Sequence, residues 1–185
     1  PPPPWESHLF FWVEFSPDGR RVIAGCYDGG AQVWDTVSRR GLFLLEHNAP
    51  VLRAHFSRDG RRMTTAGVDG TGRIWEVEDG QLHETRLRHQ RYVAETVLTG
   101  DGQRVITASL DGTAAVWDAK TGHRLGECPD QGDEVFLATV SPSGRYFATM
   151  AHLGRLRVWD TRTCLPVAEE TRGRWMFTTM AFLPD

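Results

Sequence analysis

Lysine is almost missing from this 185-residue chain: of its 21 basic residues only Lys120 is a lysine, and the other 20 are arginines scattered along the sequence. The scatter marks a GC-rich coding bias rather than a binding site. Positive charge is not in excess either. The 24 acidic residues leave a net charge of −3, which argues against a generic nucleic-acid binder and is too small for a disordered polyelectrolyte. Long hydrophobic runs are absent, the longest being Leu9 to Val13, far below the ~20 residues of a membrane span. Cysteines are few: Cys26, Cys128 and Cys164 are far apart, odd in number and in no C-x-x-C pair. That pattern argues against a zinc cage or a disulfide framework and leaves small buried hydrophobes in a reducing, cytoplasmic setting as the expectation. No phosphate-cradling glycine motif occurs, neither G-x-x-x-x-G-K-[ST] nor G-x-G-x-x-G. The chain has no initiator Met and opens with Pro1 to Pro4, so residues 1–8 read as a Pro-rich linker with more sequence expected upstream.

What is present is apolar mass for a core, at 40% of residues, together with seven tryptophans and 19 glycines. The tryptophans carry a period. Trp34, Trp75, Trp117 and Trp159 are spaced by 41, 42 and 42 residues, and the following residue is Asp35, Glu76, Asp118 or Asp160. A turn signal precedes each: Ser16-Pro17-Asp18-Gly19, Ser57-Arg58-Asp59-Gly60, Thr99-Gly100-Asp101-Gly102 and Ser141-Pro142-Ser143-Gly144. A fifth unit begins at Leu183-Pro184-Asp185. Within the second unit, 51–56, 62–67, 71–76 and 81–87 read as alternating strands, parted by Asp-Gly turns at 59–60, 69–70 and 79–80. Four strands per unit and no helical period predict an all-β chain. A four-stranded sheet cannot bury both faces alone, so neighbouring sheets must stack on it.

With four registered copies of this signature, the chain resembles the WD-repeat β-propellers. The resemblance runs from Leu9 to the C-terminus and implies four four-stranded antiparallel blades, approximately 9–46, 47–88, 89–130 and 131–172, with a partial fifth at 173–185. Family rings usually close with more blades, so an incomplete or open ring is expected, an excerpt of a larger propeller, and self-association through its open edges. The resemblance also implies a buried relay of His, Ser/Thr, Asp and Trp in each blade. A buried indole N–H needs an acceptor, a hydroxyl accepts and donates, and an imidazole links hydroxyl to carboxylate. Carried over, the relay is His47, Thr65, Asp69 and Trp75 in the second unit and His89, Thr107, Asp111 and Trp117 in the third. The flanking units depart from it. In the first, Asp28 and Trp34 match, but Ala24 replaces the hydroxyl and Glu6 stands where the His should be, with His8 two residues late. In the fourth, Thr149 and Trp159 match, while Gln131 and Leu153 replace His and Asp. A broken relay loses about 1 kcal/mol per bond, so the outer blades are expected to fray first.

Binding in such a fold is implied at the upper face, where the inner strands begin and the second-to-third-strand turns lie. The residues carried over are Tyr27, Val68, Leu110 and His152 before the turns, and Leu9, Phe11, Pro50, Leu52, Tyr92, Ala94, Glu134 and Phe136 beside each inner strand's first apolar residue. This mostly apolar ring suits a protein or peptide partner rather than a phosphate or sugar. The Arg pairs 20–21, 39–40 and 61–62 read as solvated loop residues. The His, Thr and Asp of a relay are not a catalytic triad, because the hydroxyl is engaged by an indole inside the sheet and the set repeats. The expectation is a non-catalytic protein-interaction scaffold with no cofactor, no metal, no nucleic acid and no membrane. A sensor region of a larger bacterial signalling enzyme, such as a Ser/Thr kinase, is the rival expectation. A lectin-like propeller is disfavoured because the ring residues differ from unit to unit.

Overall fold

Each turn signal works through its side chains. Ser16 Oγ donates to Asp18 at 2.6 Å and accepts the Arg21 amide at 2.9 Å, while the Gly19 amide donates to the Ser16 carbonyl at 2.8 Å. Ser57 with Asp59 and Thr99 with Asp101 repeat the arrangement, and Ser141 pairs with the Ser143 hydroxyl at 3.2 Å instead. The last turn residue needs a positive φ, and Gly19, Gly60, Gly102 and Gly144 supply it at 68°, 68°, 67° and 71°. These turns set the register of the strands that leave them.

The computed structural model describes residues 9–78, 81–171 and 179–183, apart from the side chains of Leu153 and Thr171. The Pro-rich opening 1–8 with Glu6 and His8, the Asp79-Gly80 turn, and all of the fifth unit but 179–183 lie outside them. The first sheet is β1 (Phe10–Phe15), β2 (Arg21–Cys26), β3 (Gly30–Asp35) and β4 (Gly41–Glu46). The second is β5 (Val51–Phe56), β6 (Arg62–Gly67), β7 (Thr71–Glu78) and β8 (Gln81–Arg88). The third is β9 (Val93–Leu98), β10 (Arg104–Ser109), β11 (Ala114–Asp118) and β12 (Arg124–Cys128). The fourth is β13 (Val135–Val140), β14 (Tyr146–Ala151), β15 (Arg155–Asp160) and β16 (Pro166–Thr171). Each is an antiparallel meander with its strands in chain order, and no sheet closes on itself. No α-helix occurs among the described residues; a single 3₁₀ turn, His152–Gly154, stands where the fourth unit lacks the turn Asp.

The sheets stack through three apolar layers. Ile23, Val33 and Leu45 of the first sheet meet Val51, Ala54, Met63 and Trp75 of the second. Ile74 and Leu87 meet Val105, Ala115 and Trp117. Ile106, Val116 and Cys128 meet Val135, Phe147 and Trp159. The first strand of each sheet packs on the first two strands of the one before it: β5 on β1 and β2, β9 on β5 and β6, β13 on β9 and β10. The inner strands therefore lie side by side, and each repeat tryptophan after the first is buried against the preceding sheet. Val51, Val93 and Val135, the first apolar residues of three inner strands, are fully buried, whereas Phe10 is 38% exposed.

Two of the Arg pairs are not simply solvated. Arg21 Nη2 donates to the Gly60 carbonyl at 2.6 Å and its guanidinium lies 5.3 Å from the Phe56 ring. Arg62 Nη1 donates to the Gly102 carbonyl at 2.7 Å. Each reaches from one sheet to the turn of the next, where a carbonyl at the turn's end has no strand partner to satisfy it. Arg20, Arg39, Arg40 and Arg61 are exposed.

Candidate functional site

One backbone hydrogen bond recurs in all four sheets and assembles the upper face. The amide of Tyr27 donates to the Leu9 carbonyl at 2.9 Å, Val68 to Pro50 at 2.9 Å, Leu110 to Tyr92 at 2.9 Å, and His152 to Glu134 at 2.8 Å. Each bond ties the second-to-third-strand turn to the start of the inner strand, so the ring residues come together in pairs. Leu9 (72% exposed), Phe11 (47%), Tyr27 (57%) and Tyr92 (47%) present apolar area to solvent. The Phe11 and Tyr27 rings are in contact, with centroids 5.8 Å apart. His152 is exposed, while Pro50, Leu52, Val68, Leu110, Glu134 and Phe136 are half-buried. Ala94 departs from its expected exposure: it is 7% exposed, and it stands at the register shift between β9 and β10, where Val93 faces Ser109 and Glu95 faces Ala108. Arg91 bridges the third and fourth sheets at this face, reaching the Leu110 carbonyl and Glu134 Oε1, both at 2.8 Å.

Beneath the face lie the hydrogen-bonded chains. Trp75 Nε1 donates to Thr65 Oγ1 at 2.8 Å, Thr65 lies 2.6 Å from His47 Nε2, and His47 Nδ1 lies 3.2 Å from Asp69 Oδ2. The third sheet repeats this with Trp117, Thr107, His89 and Asp111 at 2.8, 2.7 and 3.0 Å. One neutral tautomer satisfies the whole chain: the hydroxyl, already accepting from the indole, donates to Nε2, and Nδ1–H donates to the carboxylate. Burial, followed by the neighbouring Arg73 guanidinium, lowers His47 to about 4, and burial also lowers His89. Burial alone would raise Asp69 and Asp111, but hydrogen bonds, led by those from Thr71 and Thr113, bring both to about 2. In the second sheet the buried Arg73 extends the network, donating to Asp69 Oδ2 at 2.7 Å, the Glu46 carbonyl at 2.7 Å and Glu84 Oε2 at 3.0 Å.

The fourth sheet keeps more of the chain than its sequence implies. Trp159 Nε1 donates to Thr149 Oγ1 at 2.8 Å, and that hydroxyl donates to Gln131 Oε1 at 2.9 Å. The amide oxygen thus takes the place of the imidazole acceptor. The link onward to a carboxylate is gone, and buried Gln131 Nε2 finds no partner among the described residues. In the first sheet Ala24 offers no hydroxyl at all.

A second cluster went unread in the sequence. His55 on β5 places Nδ1 2.7 Å from Glu14 Oε2 on β1 and Nε2 2.9 Å from Glu95 Oε1 on β9. Glu14 also accepts the Phe56 amide at 3.0 Å, and Arg53 Nε lies 3.8 Å from Glu95 Oε2 with its guanidinium 4.6 Å from the Trp12 ring. Three inner strands are joined side by side. Burial alone would lower the His55 imidazole, but the hydrogen bonds to Glu14 and Glu95 outweigh it and raise it to about 10. The available signal is positional: Glu14 and His55 stand two residues before Ser16 and Ser57, and Glu95 four before Thr99.

The relay threonines are buried and committed to indole and imidazole, so no hydroxyl in them is free to act as a nucleophile. Among the described residues no group of three or more His, Cys, Asp or Glu side chains could hold a metal ion. The His55 cluster illustrates why: its carboxylates engage opposite nitrogens of the ring.

Compared with known families, residues 7–35, 40–76 and 84–118, more than half of the chain, match the family described as WD domain, G-beta repeat. No curated protein matches the chain.

The two kinds of histidine act on stability at opposite ends of the pH scale. His47 falls from 6.5 to about 4 on folding, so the unfolded chain binds the extra proton between these values. Its contribution is complete above 6.5 and is lost as pH falls toward 4. His55 rises from 6.5 to about 10, so its contribution is complete below 6.5 and is lost as pH rises through 10. Urea midpoints are therefore expected to peak near pH 6.5, with His55→Gln flattening the alkaline limb and leaving the acid limb in place. An alkaline limb unchanged by that substitution would remove the charged role of His55.

Proposed function

Because this chain belongs to the WD-repeat family, whose members are generally non-catalytic protein-interaction scaffolds, we propose that it holds another protein or peptide on its upper face. The observation that carries the reading is the exposure of Phe11, Tyr27 and Tyr92 on a rim tied down by a repeated backbone hydrogen bond. Aromatic side chains on a fixed backbone lose little conformational freedom when covered, and such residues dominate binding energy at protein interfaces. The pairs on the rim differ from sheet to sheet, which favours one extended partner over a small ligand bound alike in every unit. Mixed charge around the rim, with Arg91 paired to Glu134, favours a partner without strong net charge.

A second reading concerns the first sheet. Val13, Phe15 and Leu44, on the face turned away from the second sheet, are 56%, 64% and 56% exposed. Among the described residues no sheet packs on that face. Association of two copies of this chain would cover it, in the way that each later sheet is covered by the one before it.

Two measurements check these readings. Tyr27→Ala with Tyr92→Ala is expected to weaken binding of a partner isolated with the unaltered chain by at least about thirtyfold, while the melting temperature moves by no more than a few degrees. Unchanged binding would remove the tyrosines from the binding surface, and loss of binding together with a large fall in melting temperature would assign them to packing. Light scattering on the eluting chain is expected to give twice the chain mass, reduced to one chain mass by Val13→Glu with Phe15→Glu. A soluble monomer of the unaltered chain would exclude self-association.

A further inference from the structure

We propose that Cys128 and Cys164 form a reversible disulfide bond that staples the third sheet to the fourth. The two residues are 36 positions apart in sequence. Cys128 is the last residue of β12, and Cys164 lies in the turn between β15 and β16. Both belong to the apolar layer between these sheets, at 0% and 6% exposure.

The backbone makes room for the second sulfur. Gly126 stands two residues before Cys128 on β12, hence on the same face of the strand. A Cβ at Gly126 would meet Cys164 Sγ at 2.5 Å. The Cys164 sulfur therefore rests on bare glycine backbone, beside the Cys128 side chain. Any larger residue at 126 would push it away.

Cys164 is also held in an uncommon conformation. Its φ is 55°, and its amide closes the turn on the Asp160 carbonyl at 2.9 Å. In the third sheet the matching residue, four after Asp118, is Gly122 with φ 70° and the same 2.9 Å bond. Glycine takes this conformation without strain. The fourth sheet instead places a cysteine there, with its thiol turned into the interface toward the other thiol.

The two thiols are shifted in opposite directions. The interaction with Cys128 holds the Cys164 thiol below its ordinary value, with the Arg104 guanidinium acting in the same direction. The interaction with Cys164, then burial, raises the Cys128 thiol. Cys164 is placed to react first because it lies on a turn, whereas Cys128 lies within a strand. Its turn lies at the surface, next to exposed Arg162, Thr163 and Leu165.

With an oxidant of the peroxide class the step balances. The Cys164 thiolate takes one oxygen from hydrogen peroxide, the O–O bond breaks, and the departing hydroxide is protonated to water. The Cys128 sulfur then attacks the sulfenic sulfur of Cys164. The S–O bond breaks, and the second hydroxide leaves with the Cys128 proton as water. Two thiols lose two electrons, and one peroxide becomes two waters. A dithiol reductant reverses the bond by two exchange steps.

Cys26 is an internal control. It is buried at the end of β2, its thiol lies 3.6 Å from the Ala24 carbonyl, and burial raises it to about 11. The test treats the purified chain with one equivalent of hydrogen peroxide, quenches in acid, alkylates free thiols under denaturing conditions and maps tryptic peptides. The expected product joins peptides 125–145 and 163–172, two hydrogens lighter than their sum, with Cys26 alkylated in peptide 22–39. Oxidation is also expected to raise the melting temperature by roughly 5–10 °C, an increase that a dithiol reverses and that Cys128→Ser and Cys164→Ser both abolish. Full alkylation of all three cysteines after peroxide, a link that includes Cys26, or irreversible over-oxidation of Cys164 alone would overturn the proposal. The peptide map needs only the unaltered chain, so it decides even where a serine variant fails to fold.

Discussion

A sheet of four short strands with apolar residues on both faces cannot stand alone in water, and the rest of this structure follows from that constraint. Each sheet is buried by its neighbours, so the apolar layers lie between units rather than within one. The tryptophan of each later unit fills the layer toward the preceding sheet, as Trp75, Trp117 and Trp159 do. Burying an indole also buries its N–H, and a hydroxyl on the second strand must then accept it. That single requirement generates the Thr65, Thr107 and Thr149 positions. The histidine, or in the fourth sheet Gln131, follows because the hydroxyl proton needs an acceptor in turn.

Between sheets the same logic applies to charge. Inner strands run side by side, so polar residues at their facing positions must find partners across units or face each other unpaired. Glu14, His55 and Glu95 meet this demand by sharing one imidazole, and Arg53 brings the local charge toward balance. At the same end of the sheets, Arg21 and Arg62 satisfy turn carbonyls of the next sheet. The upper face is tied separately, by the backbone bonds from Tyr27, Val68, Leu110 and His152 to the starts of the inner strands. The binding proposed there needs no moving part.

Strands, turns and stacking were legible in the sequence because each repeats at a fixed spacing, and four copies of one signature leave little freedom in register. The members of the relay in the second and third units could be named because the resemblance to the WD-repeat family carried them onto matching positions. Elsewhere the signal failed for physical reasons that differ from residue to residue. Gln131 read as a break because an imidazole was sought there, although an amide oxygen accepts a hydroxyl equally well. Arg21 and Arg62 read as solvent-facing because a turn position says nothing of a carbonyl 39 or 40 residues away. The Glu14–His55–Glu95 cluster has no common residue type and no common offset, since Glu95 stands two positions further from its turn than Glu14 and His55 do from theirs. Cys128 and Cys164 have no sequence relationship at all; stacking alone brings them together.

If the buried relay governs the order of stability, amide hydrogen exchange should rank the units by how much of it each retains. Native-state exchange followed by mass spectrometry tests this directly on β2, β6, β10 and β14, the second strands of the four sheets. The account predicts slowest exchange in β6 and β10, an intermediate rate in β14 where Trp159, Thr149 and Gln131 keep two bonds, and fastest exchange in β2, where Ala24 offers no hydroxyl. Equal protection across the four strands, or greatest protection in β2, would contradict it.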